Sequence, residues 1–169
     1  MRLFIAVVPT NAVLDRVAAI PRLDVEGLRW TTREQWHVTL RFLGRVEDVD
    51  EVTAALAQTR LPRCAARLGP EVGRFGRRVL HIPVAGLEDL AAEVVARTAQ
   101  IGRPPEDRPY AAHLTLARAR SRKGVDLRAL TGERFEAAWW VEEICLIESR
   151  LHPHGARYET LRRVPTMEP

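Results

Sequence analysis

The chain is almost without lysine. Of its 26 basic residues only Lys123 is a lysine, and the others are arginine. Such a skew can follow from genome base composition alone. The net charge of +4 and the pI of about 9.8 are therefore compatible with a polyanionic partner such as RNA without requiring one. Cysteine is scarce as well. Cys64 and Cys145 lie far apart and lack the spacing of a metal site. Cys145 falls in an apolar run and reads as a buried free thiol, which points to a reducing compartment. Long apolar runs are missing. The opening MRLFIAVVPT holds an apolar stretch of about six residues, too short for a signal-peptide core or a membrane span. A cytoplasmic protein with no membrane association is expected. No cluster of carboxylates suggests a divalent metal, and neither a metal nor a cofactor is expected.

What is present is ordinary for a globular chain. The 169 residues are 46% hydrophobic and 28% charged. That suits a single domain, 1–169, made of two small lobes sharing a core. Residues 2–8 read as a strand ending at Pro9 and central in its sheet. Asn11–Ile20 has helical spacing, with Thr10 or Asn11 as cap and Pro21 as stop. Trp36–Leu43 reads as a buried strand, and Val49–Leu56 as an amphipathic helix. Val79–Val84 is expected to pair with Arg67–Phe75 as a hairpin. Gly86–Ile101 is the clearest helix, with Leu87, Leu90, Ala91, Val94, Val95 and Thr98 on one face. His113–Ala117 is a strand, 126–130 a short helix, and 135–140, 142–149 and 158–164 are strands. The expected class is α+β.

One tetrapeptide recurs. His-Val-Thr-Leu starts at residue 37 and His-Leu-Thr-Leu at residue 113, 76 positions later and close to half the chain. This is what two lobes related by a pseudo-twofold axis would produce. On a strand, side chains at i and i+2 share a face. His37 and Thr39 therefore project together, as do His113 and Thr115, while Val38, Leu40, Leu114 and Leu116 point into a core. A phosphate between the motifs would meet two imidazoles and two hydroxyls. A neutral imidazole can accept a proton from a nucleophile, and a protonated one can give a proton to a leaving oxygen. The hydroxyls can donate to non-bridging phosphoryl oxygens. A single such motif arises easily by chance; two in similar strands do not.

Other candidates are weaker. His81 reads as a sheet residue, and His152 and His154 as part of a solvated turn rather than a metal site. Arg41 stays in phase with His37 by alternation, whereas Arg118 needs a bend or bulge to join His113 and Thr115. Either could hold phosphate through its planar fork. Phe4, Trp36, Tyr110 and Tyr158 could stack a base, with core packing the default for each.

The paired motifs resemble the two signatures of the two-histidine (2H) phosphoesterases. Within that group the chain is similar to the bacterial and archaeal RNA 2′,3′-cyclic phosphodiesterases, also called 2′-5′ RNA ligases. MRLFIAVVP, LRWTTREQWHVTLRFLGRV, RVLHIPV, RPYAAHLTLAR and LIESRLHPHGARYETLRRVP carry the likeness in order along nearly the whole chain. One departure is Ala111-Ala112, where relatives often have proline before the second motif. The resemblance implies a bilobal α+β fold, two pseudo-symmetric lobes whose antiparallel sheets face a central cleft. It implies hydrolysis of RNA 2′,3′-cyclic phosphodiester ends to 2′-phosphomonoesters without a metal. His37 would be the proton donor to the departing 3′ oxygen and His113 the proton acceptor from water. Thr39 and Thr115 would hold phosphoryl oxygens, and Arg118 matches the family's arginine after the second motif; it is preferred to Arg41 on that ground. The implied partner is RNA with a 2′,3′-cyclic phosphate end, or a small nucleotide cyclic phosphate, met by a monomer. Ligation of RNA halves through a 2′-5′ linkage is the alternative, as is a related two-histidine reaction on a nucleotide cyclic phosphate.

Overall fold

Two strand–helix–strand units build the centre of the molecule in the computed structural model, which describes residues 1–168. In the first, β1 (Arg2–Val7) leads into α1 (Asn11–Ala18), then through the short β2 (Leu28–Trp30) to β3 (Val38–Arg45). In the second, β6 (Val79–Ala85) leads through α3 (Glu88–Arg97) to β7 (His113–Ala119). Between them lie α2 (Val49–Leu56), β4 (Cys64–Leu68) and β5 (Gly73–Phe75). β8 (Ala137–Val141), β9 (Glu143–Arg150) and β10 (Arg157–Pro165) complete the chain. The two motif strands, β3 and β7, each close their unit.

The strand order is β10-β9-β1-β3-β7-β6-β4-β8, with β2 added to β7 and β5 to β6. Every named pair is antiparallel. The two arrays of four strands meet where β3 touches β7, and they touch at one register pair, Val38↔Leu114. Beyond it β2 takes the edge of β7 that β3 leaves. The sheet therefore splays along its midline, and a cleft opens between the two motif strands.

The buried face carries the core. Val38 and Leu114 are fully buried, with Leu40 and Leu116 nearly so, as alternation requires of them. Leu87, Leu90 and Val94 of the α3 segment join the same cluster, as do Val52 and Leu56 of α2. Two helices cross between halves, α3 packing on β3 and α1 on β8, while α2 packs on β10. Each half is thereby clamped to the other, which keeps the cleft walls in fixed relation. Burying this many branched side chains contributes about 1.5–3 kcal/mol each before entropy is counted.

Several boundaries differ from the sequence expectation for local reasons. The third helix starts at Glu88 rather than Gly86. Gly86 has φ +94°, outside helical geometry, and its N–H is taken by the Glu88 carboxylate. The helix ends at Arg97, short of Ile101, where Thr98 donates its hydroxyl back to the Val94 carbonyl. The expected hairpin strand 67–75 is two strands. Pro70 cannot donate to a ladder, and β4 pairs with both β6 and β8 while β5 alone forms the hairpin with β6. The helix expected over 126–130 is a single 3-10 turn, Arg128–Leu130. Thr10 caps α1 by accepting from the Val13 N–H. β2 has no counterpart in the sequence reading: three residues are too few to show a period.

Candidate active site

Each motif histidine is held the same way. His37 Nδ1 lies 2.7 Å from the carbonyl of Gln35, and His113 Nδ1 lies 2.8 Å from the carbonyl of Ala111. A carbonyl only accepts, so in both rings Nδ1 carries the hydrogen and donates it. That assigns the tautomer: in the neutral ring Nε2 is left with its lone pair. His37 Nε2 lies 3.1 Å from the Thr39 hydroxyl. His37, Thr39, His113, Thr115 and Arg118 all line one cavity of about 130 Å³. Because β3 and β7 run antiparallel about Val38↔Leu114, His37 falls on the side of Thr115 and Thr39 on the side of His113.

The site repeats at the level of backbone irregularity. β1 pairs with β3 as Val7↔Val38, Ala6↔Thr39, Ile5↔Arg41 and Phe4↔Phe42, so Leu40 is an extra residue. β6 pairs with β7 as Ile82↔Leu114, His81↔Thr115, Leu80↔Ala117 and Val79↔Arg118, so Leu116 is an extra residue. Both motifs thus contain a bulge directly after the threonine. A bulge reverses the alternation beyond it. This decides between the two arginines. Arg118 turns onto the face of His113 and Thr115, whereas Arg41 turns into the core and is only 5% exposed.

The sequence expectation that alternation would keep Arg41 beside His37 is therefore corrected. Its guanidinium donates to the Thr98 hydroxyl (2.6 Å) and to the carbonyls of Ile101 (3.2 Å) and Arg103 (2.7 Å). It closes the C-terminal end of α3, where free carbonyls favour a cation. In its place on the cleft face stands Phe42, 53% exposed, which alternation had hidden.

The β7 bulge has its own support. The Thr31 hydroxyl lies 2.8 Å from the Thr115 carbonyl and 2.9 Å from that of Leu116, and it accepts from Trp36 Nε1 at 3.0 Å. Tyr110 donates its hydroxyl to the Thr39 carbonyl at 2.8 Å, tying the loop before β7 to β3. Trp36 and Tyr110 are thus occupied as braces, and Trp36 is buried. Phe4 is buried under the site, its ring centroid 4.8 Å from that of His37, and Tyr158 meets His37 edge-on at 5.1 Å.

Around His113 the neighbours differ. Phe75 meets it edge-on at 4.8 Å, and His81 lies 5.6 Å away, stacked on Phe75 at 4.0 Å. His81 is a buried sheet residue, but among the described residues its Nδ1 has no hydrogen-bond partner. It occupies the register position that Ala6 holds in the other half. Burial pushes His37 down to about 4, aided by the charges of Arg118 and His113 and opposed by its bond to Gln35. Burial also lowers His113, with Arg118 and Arg108 acting in the same direction. His81 is held down to about 4, again chiefly by burial. The cleft is therefore lined by neutral imidazoles beside the Arg118 guanidinium, a setting that favours an incoming anion.

His152 and His154 lie in an exposed turn, ring centroids 6.1 Å apart. Among the described residues no three His, Cys, Asp or Glu side chains gather as a metal site. Both cysteines are free, Cys145 buried and Cys64 half-buried. No helix among the described residues is long and apolar enough to cross a membrane.

Two half-sheets with a paired His-x-Thr cleft define a two-histidine phosphoesterase, and the comparisons agree. The chain matches the 2′-5′ RNA ligase superfamily over residues 12–153 and belongs to that family. It is 31% identical over 145 residues to an RNA 2′,3′-cyclic phosphodiesterase of Aeropyrum pernix, covering 78% of this chain and 82% of the relative. A crystal structure of a Thermus thermophilus protein superposes with a TM-score of 0.79 at 27% identity, over 98% of this chain and 97% of that one. E. coli LigT, solved with 3′-AMP, shares the fold at a TM-score of 0.79 and 22% identity, over 99% and 98% of the two chains. The bilobal α+β expectation holds.

Proposed function

We propose that the protein hydrolyses RNA 2′,3′-cyclic phosphodiester ends to 2′-phosphomonoesters, with His37 as proton donor and His113 as proton acceptor. One observation carries this reading above the others. Both imidazoles are locked through Nδ1 and share a single cavity with two hydroxyls and one guanidinium. The name of the Aeropyrum pernix relative supports the choice of substrate.

In the proposed reaction water attacks phosphorus and gives its proton to His113 Nε2. The bond from phosphorus to O3′ breaks, and O3′ takes a proton from His37 Nε2. The products are a 2′-phosphate and a free 3′-hydroxyl. Thr39, Thr115 and Arg118 hold the non-bridging oxygens, where negative charge grows. Bound phosphate also raises the proton affinity of both rings, so His37 becomes charged when the substrate arrives. Thr39 then turns its hydroxyl from donating to Nε2 to donating to the phosphoryl group. With a 5′-hydroxyl in place of water as nucleophile, the same groups in the same roles would join it to the cyclic end: its proton goes to His113, a 2′-5′ diester forms, and O3′ leaves with a proton from His37.

The test is product analysis on an oligonucleotide ending in a 2′,3′-cyclic phosphate, with 2′- and 3′-monoesters resolved. A 2′-phosphate product is expected. Ligated product with no monoester, or a 3′-phosphate, would overturn the proposal.

A further inference from the structure

The cleft does not stop at the two histidines. A second cavity of about 350 Å³ adjoins the first and shares His37, Thr115 and Arg118 with it. It lies on the His37–Thr115 side, since Thr39 and His113 line only the smaller cavity. Its other walls include Arg29 and Arg120.

These arginines are placed against ordinary sheet preference. In the β2–β7 ladder Arg29 stands directly opposite Arg118. Like charges facing one another across a ladder are destabilising. Nine ion pairs elsewhere supply acids to other arginines, but among the described residues Arg29, Arg118 and Arg120 take part in none. The cavity is also built rather than incidental. Gln35 accepts from the Thr32 N–H and donates to the Ala156 carbonyl at 2.7 Å, pinning the turn after Pro153 over it. Gly155 in that turn has φ +116°, and a Cβ there would lie 3.4 Å from Arg29 Nη1 and from Gln35 Nε2. That φ is one L side chains rarely adopt, so the turn's backbone calls for glycine beside the guanidinium.

We propose that Arg29 and Arg120 form a second anion subsite, which takes the backbone phosphate next to the reacting one and makes an oligonucleotide end, not a free cyclic nucleoside phosphate, the preferred substrate. This rests on the function proposed above for the choice of side. In an in-line displacement the nucleoside sits on the side of the leaving oxygen, opposite the attacking water. His37 serves that oxygen, so the ribose and the chain attached to it extend past His37 and Thr115 into the larger cavity. The next phosphate then meets two guanidinium groups, each able to hold its oxygens with paired N–H donors. A 5′-monophosphate on a single nucleotide would satisfy the same chemistry as an internal diester.

The experiment compares kcat/KM for adenosine 2′,3′-cyclic phosphate, its 5′-phosphorylated form, and a dinucleotide with a cyclic end. The wild type is expected to prefer the second-phosphate substrates by roughly tenfold or more, the scale of one charge-assisted contact. In the Arg29→Gln/Arg120→Gln variant that ratio should collapse toward one. Preference for the dinucleotide supports the subsite as a diester site, and preference for the 5′-phosphorylated nucleotide alone overturns it in favour of a monoester site. Arg2→Gln/Arg103→Gln removes equal charge from the smaller cavity. If it lowers the ratio as much, or if the wild-type ratio is already near one, the subsite is overturned. If the wild type turns over none of the three, the proposed function fails by itself. The subsite is then judged by calorimetric affinity for a dinucleotide 2′-phosphate against a nucleoside 2′-phosphate. A tenfold difference lost in the double variant supports it, and equal affinities refute it.

Discussion

The two motif strands carry the same His and Thr at matching register, with a bulge at the same place, yet their histidines stand in different surroundings. His37 is packed between Phe4 and Tyr158 and has Thr39 on Nε2. His113 faces Phe75 and His81, and among the described residues no side chain hydrogen-bonds its Nε2, its one bond being from Nδ1 to the Ala111 carbonyl. Past the bulge, one strand presents Phe42 and the other Arg118 at equivalent positions. Repetition supplies the geometry, and departures from it supply distinct roles. A desolvated ring such as His37 is a strong acid once charged, which suits protonation of an alkoxide.

The sharpest way to break this comparison is to remove each ring. His37→Ala and His113→Ala should each lower kcat on a cyclic-phosphate RNA by about 10²–10⁴-fold, with the double variant little worse than either single one. A substrate whose leaving group needs no proton should separate the roles. On such a phosphodiester His37→Ala should recover most of its loss and His113→Ala should not. Equal recovery by both would remove the assigned asymmetry.

Next comes the contrast between the two arginines. Arg118→Ala is expected to cost roughly 10–10²-fold in kcat/KM with the fold intact. Arg41→Ala should do the reverse. It leaves buried carbonyls and the Thr98 hydroxyl without their donor, costing about 2–4 kcal/mol of stability while kcat changes little. Thermal unfolding alongside kinetics checks both, and activity loss without destabilisation at Arg41 would contradict its placement.

The pH dependence should show a smaller effect. In the free protein His37 is held to about 4 and His113 below its ordinary value. The falling limb of kcat/KM, which reports the free protein, marks the higher of these two lowered values and should lie below the ordinary histidine range. A bound phosphate anion favours the charged rings, so the kcat profile should be displaced to higher pH. Coincident profiles would show that the phosphate does not reach the imidazoles.

The smallest effect concerns His81, the histidine that the other half replaces by Ala6. Its folded value of about 4 lies below the ordinary 6.5 of an unfolded chain. The neutral form is favoured by folding, so its contribution is complete above pH 6.5 and is lost as pH falls toward 4. His81→Ala should flatten stability against pH over that window by about 1–3 kcal/mol. Urea unfolding on either side of that window measures it, and an unchanged slope would mean that His81 is not held neutral.

Much of this was legible in residue order. Val38, Leu40, Leu114 and Leu116 read as core by period two and are buried. The helix 49–56 and the pairing of His with Thr on one face needed nothing beyond local spacing. Phe42, Arg29 and Arg120 were not legible as cleft residues. A bulge is set by what the neighbouring strand offers, and no residue type at Leu40 or Leu116 announces one. β2 was invisible because three residues carry no period, and the notable feature of Arg29 is which residue of β7 it faces.

The sequence by itself determined the chemistry available: two His-x-Thr units, arginine as the cation, and an apolar alternation that forces both motifs onto strands. Local periodicity suffices for that, because a side chain's face on a strand depends only on its neighbours in the chain. The tertiary structure alone decided which arginine joins the histidines, since two matched bulges reverse the alternation after each threonine. It also decided that His81 would stand beside His113 and that Arg29 would face Arg118. Those juxtapositions depend on strand pairing across distant parts of the chain, and register between strands is set by packing of the whole sheet.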